Sequence, residues 1–349
     1  MLLAGDIGGT KTVLAIISSD QGPRAPLARA EFPSAGHPSL VALVREFLAT
    51  AGFDVDRACF DVAGPVLDGR STVTNLPWVL DETELTRELG LTSVHLLNDL
   101  HAIAIAVPTL GPDDLHTLNP GRPVSEGAIA VVAPGTGLGM AFLVWEGGRY
   151  RPCPSEGGHA GFAPGSPLEA DLLGYLMGRF EHVSRERVCS GIGIPNLYEF
   201  LRGRGHALES AELAAALAAA IDPTPLIGAA ALRQPGPDPL SRAALELFIA
   251  ILASEAGSFA LEVLATGGLY LAGGIPSHIL PALTDGSFMR RFIRKGRMAG
   301  LLGRIPVHVV LGRPALIGAA IRGLELAEAE SAEAEAAAVK REEAPCSSG

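Results

Sequence analysis

Cysteine is scarce in this sequence and shows no metal-binding or disulfide pattern. The 349 residues contain four cysteines, Cys59, Cys153, Cys189 and Cys346, and no two of them have CxxC spacing. Structural zinc sites and the disulfide frameworks of small secreted proteins both depend on regularly spaced cysteines. We therefore expect reduced thiols, no disulfide framework and no zinc site.

Charged residues are also few, and positive charge is the scarcer sign. Asp, Glu, Lys and Arg make up 19% of the chain, and the formal net charge at pH 7 is -11. A nucleic-acid partner would require a basic stripe that neutralises phosphates. For the nearest basic cluster we favour a solvated helix face over a contact between subunits; it comprises Arg290, Arg291, Arg294, Lys295 and Arg297. We expect no nucleic-acid partner.

The long apolar segment from Ala243 to Ala265 lacks the composition of a membrane span. Glu246, Glu255 and Glu262 interrupt it, and a carboxylate costs several kcal/mol in lipid. The segment predicts a buried helix. Since the sequence starts with a predicted core strand and not with a basic leader, we expect a cytoplasmic protein with no membrane partner.

The length of the chain predicts two domains. A chain of 349 residues exceeds the ~250 to 300 residues at which single cores stop growing. Strands and helices alternate through residue 107, which is typical of an α/β layer, and residues 168–265 are mainly helical. Asp81 and Glu84 resemble a capping box, so we favour a structural role for Asp81. The predicted helices of the first layer are Ser39 to Thr50, Glu82 to Leu89 and Asp99 to Val107.

Glycine, in contrast, is plentiful, and its placement is the most informative feature of the sequence. The run GDIGGTK, from Gly5 to Lys11, lies between two apolar runs, Leu2 to Ala4 and Thr12 to Ile17. The second apolar run is bulky, β-branched and of strand length, and turn-forming residues follow it. Since a P-loop passes from a strand into a helix, this run predicts a glycine-rich hairpin instead.

Such a hairpin can bind phosphate through its backbone N–H groups, because glycines allow a close approach. Thr10 would add a hydroxyl group, and Asp6 would add a carboxylate near a metal. The alternative is an ordinary tight turn that uses Gly8 and Gly9.

A second copy of the same layout favours the phosphate-binding interpretation. Ile129 to Ala133 is an apolar run, and Met140 to Trp145 resumes the strand pattern after a turn that contains Gly135, Thr136, Gly137 and Gly139. Two such units predict a duplicated fold that binds one phosphate chain from two sides.

A third glycine element ends another apolar strand. It is the run LYLAGG, in which Gly273 and Gly274 follow the strand and precede a predicted helix start at Pro276 and Ser277. A flat group could lie against this bare backbone.

Six segments, in order, resemble the bacterial glucokinases of the sugar kinase, heat-shock ATPase and actin superfamily. GDIGGTK resembles the first phosphate loop of that family, APGTGLG the second, and LAGGIP the adenosine segment. The other three are LLNDLHAIAIAV (Leu96 to Val107), SEGGHAGFAP (Ser155 to Pro164) and ERVCSGIGIPNLYEF (Glu186 to Phe200). The resemblance covers most of the chain.

The resemblance implies an α/β, two-lobed actin-like ATPase (ribonuclease H-like) fold with a cleft between a small α/β domain and a larger α+β domain. The small domain would span residues 1–109 and be completed by about 311–327. The large domain would span 110–310, and residues 328–349 would form a flexible tail rich in Ala and Glu.

The resemblance also implies ATP and Mg²⁺ as cofactors and a homodimer as the assembly. The residues themselves leave the phosphoryl donor open among ATP, ADP and polyphosphate. The nucleotide-binding residues carried over from the family are Gly5, Asp6, Gly8, Gly9, Thr10, Lys11, Gly135, Thr136, Gly137, Gly273 and Gly274.

Asn98 and Asp99 follow the apolar run Val94 to Leu97 and begin a predicted helix. By itself, an Asp at this position is usually an N-cap, where its carboxylate stays ionised and fixed. The resemblance implies that Asp99 accepts the proton of the sugar 6-hydroxyl, while Asn98 binds a neighbouring hydroxyl.

Glu156, His159 and Glu186 are predicted to bind sugar hydroxyls, since carboxylates are strong acceptors. The alternatives are a loop histidine bound to backbone and, for Glu186, an exposed helix residue. In the repressor-like ROK relatives, the equivalent histidine binds zinc beside a cysteine cluster, which this sequence lacks after Gly158. The chain thus resembles the zinc-free branch, with no protein-bound metal. Asn75, Gly64 and Pro65 match family segments near the sugar or its phosphate.

Together these features predict an ATP-dependent hexose kinase that forms glucose 6-phosphate. A different hexose or an amino sugar is one alternative, and a sugar-sensing regulator on the same fold is another. The regulator would need a helix-turn-helix before the first strand, where this sequence has none. Asp6, Asp99 and Thr136 disfavour a catalytically inactive sugar-binding protein.

Overall fold

The computed structural model describes residues 1–73 and 76–342, with side chains in the last helix described through residue 332. The strands are β1 (Leu2–Ile7), β2 (Lys11–Ile17), β3 (Ala28–Pro33), β4 (Arg57–Val62), β5 (Arg70–Thr72), β6 (Val79–Asp81), β7 (Ser93–Asn98), β8 (Leu115–Asn119), β9 (Ile129–Pro134), β10 (Leu138–Glu146), β11 (Arg149–Ser155), β12 (Gly268–Leu271) and β13 (Val307–Val310). The helices are α1 (Leu40–Ala51), α2 (Glu82–Leu89), α3 (Asp99–Ala106), α4 (Pro167–Met177), α5 (Gly193–Gly203), α6 (Ala211–Ala219), α7 (Thr224–Leu232), α8 (Pro239–Glu262), α9 (Gly274–His278), α10 (Leu280–Leu283), α11 (Ser287–Phe292), α12 (Ala299–Leu302) and α13 (Pro314–Glu342).

The chain divides into two compact units. Unit 1 contains Met1–Pro108 and the segment that begins at Arg313, and unit 2 contains Thr109–Gly312. Unit 1 is built on a five-stranded sheet of order β3-β2-β1-β4-β7. One face of this sheet packs on α1 and α2 through Leu3, Ile7 and Phe60, among others. The opposite face, which includes Leu2 and Cys59, packs on α13.

Unit 2 repeats the strand layout of unit 1 in a six-stranded sheet of order β11-β10-β9-β12-β13-β8. In unit 1, β1 pairs antiparallel with β2 and parallel with β4, and β4 pairs parallel with β7. In unit 2, β9 pairs antiparallel with β10 and parallel with β12, and β12 pairs parallel with β13. Both glycine-rich runs predicted from the sequence therefore connect antiparallel strands of a duplicated sheet.

Side-chain caps fix the first helices at the predicted positions. The Ser39 hydroxyl accepts a hydrogen bond from Ala42 N–H at the start of α1, and Asp81 does the same for Glu84 N–H at the start of α2. Both bonds satisfy an N–H group that the helix itself leaves unpaired. Asp81 also forms an ion pair with Arg70, which agrees with the structural role predicted for it.

The long apolar helix α8 is a core element of unit 2. It is long and apolar enough to cross a membrane, but most of it is buried inside the protein. Glu255 is buried beside the Arg185 guanidinium, with 2.9 Å between Nε and Oε2. The prediction of a buried helix between Ala243 and Ala265 is confirmed.

The basic cluster around α11 is not the uniformly solvated face that we predicted. Arg291 forms an ion pair with the buried carboxylate of Glu169. The Lys295 ammonium group donates to the hydroxyls of Ser254 and Ser258 at 3.2 and 2.8 Å. These two cations point inward because unit 2 buries polar acceptors beneath them, and buried polar groups require partners.

Helix α13 extends beyond the predicted start of a flexible tail at residue 328. It continues to Glu342, and Glu330 anchors it to the sheet. The Glu330 carboxylate accepts from Arg57 Nε at 2.9 Å and from Ser93 Oγ at 3.1 Å, and it lies 3.0 Å from His95 Nε2. The composition of this segment also allowed the last helix to continue into it, and these long-range bonds hold that helix against β4 and β7.

Helices α3 and α13 of unit 1 approach each other at a glycine. A Cβ atom on Gly318 would overlap the carbonyl oxygen of Ala102, so the two backbones can meet only if this position lacks a side chain. The contact holds the helix that begins at Asp99 against α13. A single glycine thus allows α3, the helix that follows β7, to lie directly against α13.

We therefore expect Gly318→Ala to lower the free energy of unfolding by ~2 kcal/mol or more, because the added methyl group overpacks a rigid backbone contact. Gly174→Ala is the matched control, since its Cβ would lie in α4 with no neighbour within 4 Å. This control should stabilise the protein by about 0.5 to 1 kcal/mol. Urea denaturation of both variants measures the difference, and equal effects would contradict the assigned contact.

Candidate active site

Parallel pairing in unit 1 brings together acidic residues that are distant in the sequence. Asp6 on β1 is in register with Asp61 on β4, and Val62 is in register with Asn98 at the end of β7. Asp99 follows directly as the first residue of α3. The carboxyl ends of parallel strands meet at one edge of a sheet, where α/β proteins commonly bind ligands.

Asn98, and not Asp99, is the N-cap of α3. The Asn98 side-chain oxygen accepts from Leu100 N–H at 3.1 Å and from His101 N–H at 3.3 Å, while its amide nitrogen donates to Gly64 O at 2.9 Å. The same amide donates to Asp99 Oδ1 at 3.0 Å. This corrects the N-cap alternative considered for Asp99, because an Asn one residue earlier supplies the capping oxygen.

Asp99 is a constrained carboxylate at the N-terminus of a helix. Its Oδ1 accepts both the Asn98 amide and Leu100 N–H, the latter at 2.8 Å. Burial raises the pKa of Asp99 to about 6, although these hydrogen bonds lower it; the Asp6 charge adds to the increase. The sequence suggested a carboxylate that stays ionised, whereas burial moves its pKa toward neutrality, where a general base is most effective.

Asp6 lies at the end of β1, just before the first glycine turn. Arg313, the residue before α13, donates to Asp6 Oδ2 at 3.3 Å and to Glu31 Oε2 at 2.8 Å. Burial raises the pKa of Asp6, and the nearby Arg313 guanidinium opposes this. Lys11 pairs with Glu31 at 2.5 Å and is exposed. Sequence analysis missed Arg313 because it lies 307 residues from Asp6 along the chain.

Backbone contacts shape the first glycine hairpin. Gly8 N–H donates to Lys11 O at 3.1 Å, and the Ser34 hydroxyl donates to Gly8 O at 2.7 Å. Ser34 N–H donates to the carbonyl of Thr10, whose side chain is exposed beside Gly9. Ser34, which lies outside the predicted loop, therefore stabilises the turn through these two hydrogen bonds.

Gly5 is a packing residue inside β1. A Cβ atom there would lie 2.7 Å from Phe60 and 2.8 Å from Leu14. Because Gly5 lies on the core side of the strand, this geometry does not support its predicted contact with nucleotide.

Asp61 is an acidic group that sequence analysis missed. It is fully buried in β4, and neither carboxyl oxygen has a hydrogen-bond partner within residues 1–73 and 76–342. Burial raises its pKa well above the usual range, and the Asp6 and Asp99 charges raise it further. Burial therefore shifts Asp61 toward its neutral form. An aspartate inside the apolar strand RACFDV was the available signal.

In unit 2, the second and third glycine elements lie side by side. Gly273 has a φ of 81°, and a Cβ atom on it would lie 2.8 Å from Pro134 O, directly before Gly135. Ala272 N–H donates to Val132 O at 2.9 Å, which continues the parallel pairing of β12 with β9. Gly274 begins α9 and has open space around its Cα. The structure thus brings these two elements together, and Thr136 in the second turn is exposed.

The predicted sugar-binding residues of unit 2 also come together. His159 lies 3.8 Å from the Glu156 carboxylate, and both side chains are exposed. Arg185 N–H donates to Ala160 O at 2.8 Å, which brings the turn that carries Glu186 beside the turn that carries His159. Because the side chains of Glu156 and His159 are exposed, they are available to a polar ligand.

Glu186 is half-buried and hydrogen-bonded, unlike the exposed residue considered as an alternative. Its Oε2 accepts from Leu138 N–H at 3.0 Å, directly after the second glycine turn. Asn75, another predicted sugar contact, lies outside the described residues.

Within the described part of the chain, no group of three or more His, Cys, Asp or Glu side chains is placed to hold a metal ion. Mg²⁺ commonly uses one or two carboxylates together with substrate phosphates, and it keeps several waters. The Asp6 carboxylate at the base of the first glycine hairpin is an oxygen donor of that kind.

Comparison with known proteins identifies the family. A glucokinase family model matches residues 3–325. A glucokinase from Nostoc punctiforme is 42% identical over 336 residues, covering 92% of this chain and 98% of the relative. A solved glucokinase from an Antarctic psychrotroph is 32% identical with a TM-score of 0.78, covering 93% of this chain and 98% of that one.

A more distant structure shares only the fold. It is a ROK family glucokinase from Streptomyces griseus, solved with glucose and AMPPNP, with a TM-score of 0.62 and 19% identity. The alignment covers 93% of this chain and 99% of that one. Its fold is the actin-like ATPase fold of the sugar kinases, which confirms the predicted fold class. By sequence match along nearly its whole length, the chain belongs to the glucokinase family.

Proposed function

We infer that the chain transfers the γ-phosphoryl group of ATP to the 6-hydroxyl of glucose and releases glucose 6-phosphate and ADP. The observation that carries this inference is Asp99, a constrained carboxylate with a pKa of about 6 at the start of α3. Membership of the glucokinase family supports the substrate and the donor.

Asp99 acts as the general base. Its Oδ1 is bound to the Asn98 amide and Leu100 N–H, so Oδ2 accepts the proton of the 6-hydroxyl as that oxygen attacks the γ-phosphorus. Phosphoryl transfer makes small covalent demands, and positioning and charge stabilisation supply most of the rate. A positioned base contributes ~10²- to 10⁴-fold.

The sugar hydroxyls are bound by polar groups from loops and helix ends. Glu156 and Glu186 accept hydroxyl protons, and His159 adds a ring nitrogen beside Glu156. Asn98, at the start of α3, is a further proposed contact, and a sugar hydroxyl there would replace one of its hydrogen bonds to Gly64 O and Asp99 Oδ1. Asn75 is the remaining proposed contact.

The nucleotide phosphates are bound at the two glycine hairpins, where the missing side chains let phosphate approach the backbone. Gly8, Gly9 and Thr10 form the first turn, with Lys11 beside it, and Gly135, Thr136 and Gly137 form the second. Gly273 and Gly274 lie against the adenosine. Mg²⁺, held by Asp6 and the phosphates, would neutralise phosphate charge.

We also propose that the enzyme works in the cytoplasm as a homodimer. The family resemblance of the six sequence segments supports both properties. Gel filtration with light scattering measures the mass of the assembly in solution.

A coupled assay tests the function directly. With ATP and Mg²⁺, glucose should be the best substrate in a panel that includes mannose, fructose and glucosamine. ADP or polyphosphate should not replace ATP, and chelation of Mg²⁺ should abolish turnover. Metal analysis should find no stoichiometric zinc. Preference for another hexose, or one tightly bound zinc per chain, would contradict the assignment.

Asp99→Asn should lower kcat by ~10²- to 10⁴-fold while glucose still binds, because an amide keeps the shape but cannot accept the proton. Asp81→Asn is the matched control, since it removes a carboxylate from the start of α2 in the same unit. The control should lose stability and keep turnover. Steady-state kinetics and glucose titration make the comparison, and near-normal turnover of Asp99→Asn would exclude the base role.

The rate should fall with acidity through the pKa of Asp99. Only the ionised carboxylate accepts a proton, so kcat/KM should be half-maximal near pH 6, level off about one pH unit higher and decrease at lower pH, as the pKa of about 6 requires. The residual rate of Asp99→Asn should lack this acidic limb, which separates Asp99 from other titrating groups. An acidic limb near pH 4 in the wild type would show that burial does not control the base.

A further inference from the structure

Glu186 touches the second glycine hairpin directly. Its Oε2 accepts from Leu138 N–H at 3.0 Å, and the same oxygen occupies the space that a Cβ atom on Gly137 would take. The glycine at 137 is therefore needed for the carboxylate to reach the hairpin. A side chain that was predicted to bind sugar is thus also a structural partner of a nucleotide-binding turn.

The segment that follows Glu186 continues this contact along the hairpin. Gly191 N–H donates to Gly135 O at 2.8 Å, and Ile192 N–H donates to Thr136 O at 3.2 Å. A Cβ atom on Gly191 would lie 2.9 Å from Gly135 O. The chain between residues 186 and 192 therefore binds the carbonyl groups of Gly135 and Thr136 and the N–H group of Leu138.

The other sugar-binding turn reaches the same point. A Cβ atom on Gly158 would overlap the carbonyl oxygen of Leu138, so the turn between Glu156 and His159 packs against the first residue of β10. Leu138 thus has its N–H bound by Glu186 and its carbonyl covered by Gly158. The hairpin and both sugar-binding turns belong to one continuous set of contacts in unit 2.

We propose that Glu186 is a positioning residue for the Gly135–Gly137 hairpin and that sugar and nucleotide binding are coupled through its carboxylate. Oε2 holds the hairpin, and Oε1 accepts a sugar hydroxyl. A sugar bound to Oε1 restrains the carboxylate and with it the hairpin. The sugar half of the proposal rests on the function proposed above, whereas the hairpin half does not.

The first test titrates Mg²⁺-AMPPNP into the enzyme without glucose. Glu186→Ala should bind this analogue about 10-fold more weakly or worse, the loss of one charged hydrogen bond. Glu186→Gln should stay within about 3-fold of wild type, because its amide oxygen still accepts from Leu138 N–H. Glu156→Gln is the matched control, with no hydrogen bond to the hairpin among the described residues, and should bind the analogue normally.

The second test titrates glucose into the enzyme without nucleotide. Gly137→Ala should weaken glucose binding several-fold, because the new methyl group displaces the Glu186 carboxylate. Gly135→Ala is its control, since a Cβ atom there meets nothing within 4 Å, and it should bind glucose as the wild type does. If Glu186 had only a structural role, a substitution in the nucleotide-binding turn would not change the affinity for glucose.

The positioning role would be overturned if Glu186→Ala bound AMPPNP with normal affinity. It would also be overturned if Glu186→Gln, with an unchanged melting temperature, bound AMPPNP as weakly as Glu186→Ala does. Equal glucose affinities for Gly137→Ala and Gly135→Ala would overturn the coupling. If the wild type neither binds nor phosphorylates glucose, the proposed function fails, and the AMPPNP titration still decides the hairpin role.

Discussion

Parallel pairing of β1, β4 and β7 is the constraint on which the proposed catalytic part of unit 1 depends. Register alone sets Asp6 beside Asp61 and ends β7 at Asn98, so that α3 begins with Asp99. Successive side chains of a strand point to opposite faces of the sheet. A strand that slipped by one residue would therefore turn these groups to the other face. The glycine contact between α3 and α13 then fixes the direction in which the helix leaves the sheet.

Burial of carboxyl groups at this edge opposes stability and favours the base role proposed for Asp99. Desolvation disfavours the charged form, which is why the pKa of Asp99 rises to about 6 and that of Asp61 rises well above its usual range. A base whose pKa is near neutrality transfers protons efficiently, whereas one that stays fully ionised at low pH is a weaker acceptor. Burial thus disfavours a third negative charge at Asp61, beside Asp6 and Asp99.

Unit 2 depends on a different constraint. At glycine positions, neighbouring segments approach the backbone more closely than a side chain would allow. Gly137, Gly158 and Gly191 each leave space that another segment occupies, and Leu138 lies at the centre of these contacts. Close packing of this kind transmits small displacements, because the interior has little free volume. Under the coupling proposed above, the Glu186 carboxylate that binds Leu138 N–H affects both the hairpin and the sugar.

The sequence by itself determined the local elements and the family. Two strand–glycine–strand runs, the caps at Ser39 and Asp81 and the six ordered motifs predicted the hairpins, the first helices and a glucokinase, because each depends on neighbours within a few residues. Tertiary structure alone decided the pairing of Arg313 with Asp6, the anchoring of α13 by Glu330 and the bond from Glu186 to the hairpin. These contacts join residues far apart in the chain, and burial, which sets the pKa of Asp99 and Asp61, exists only once the chain has folded.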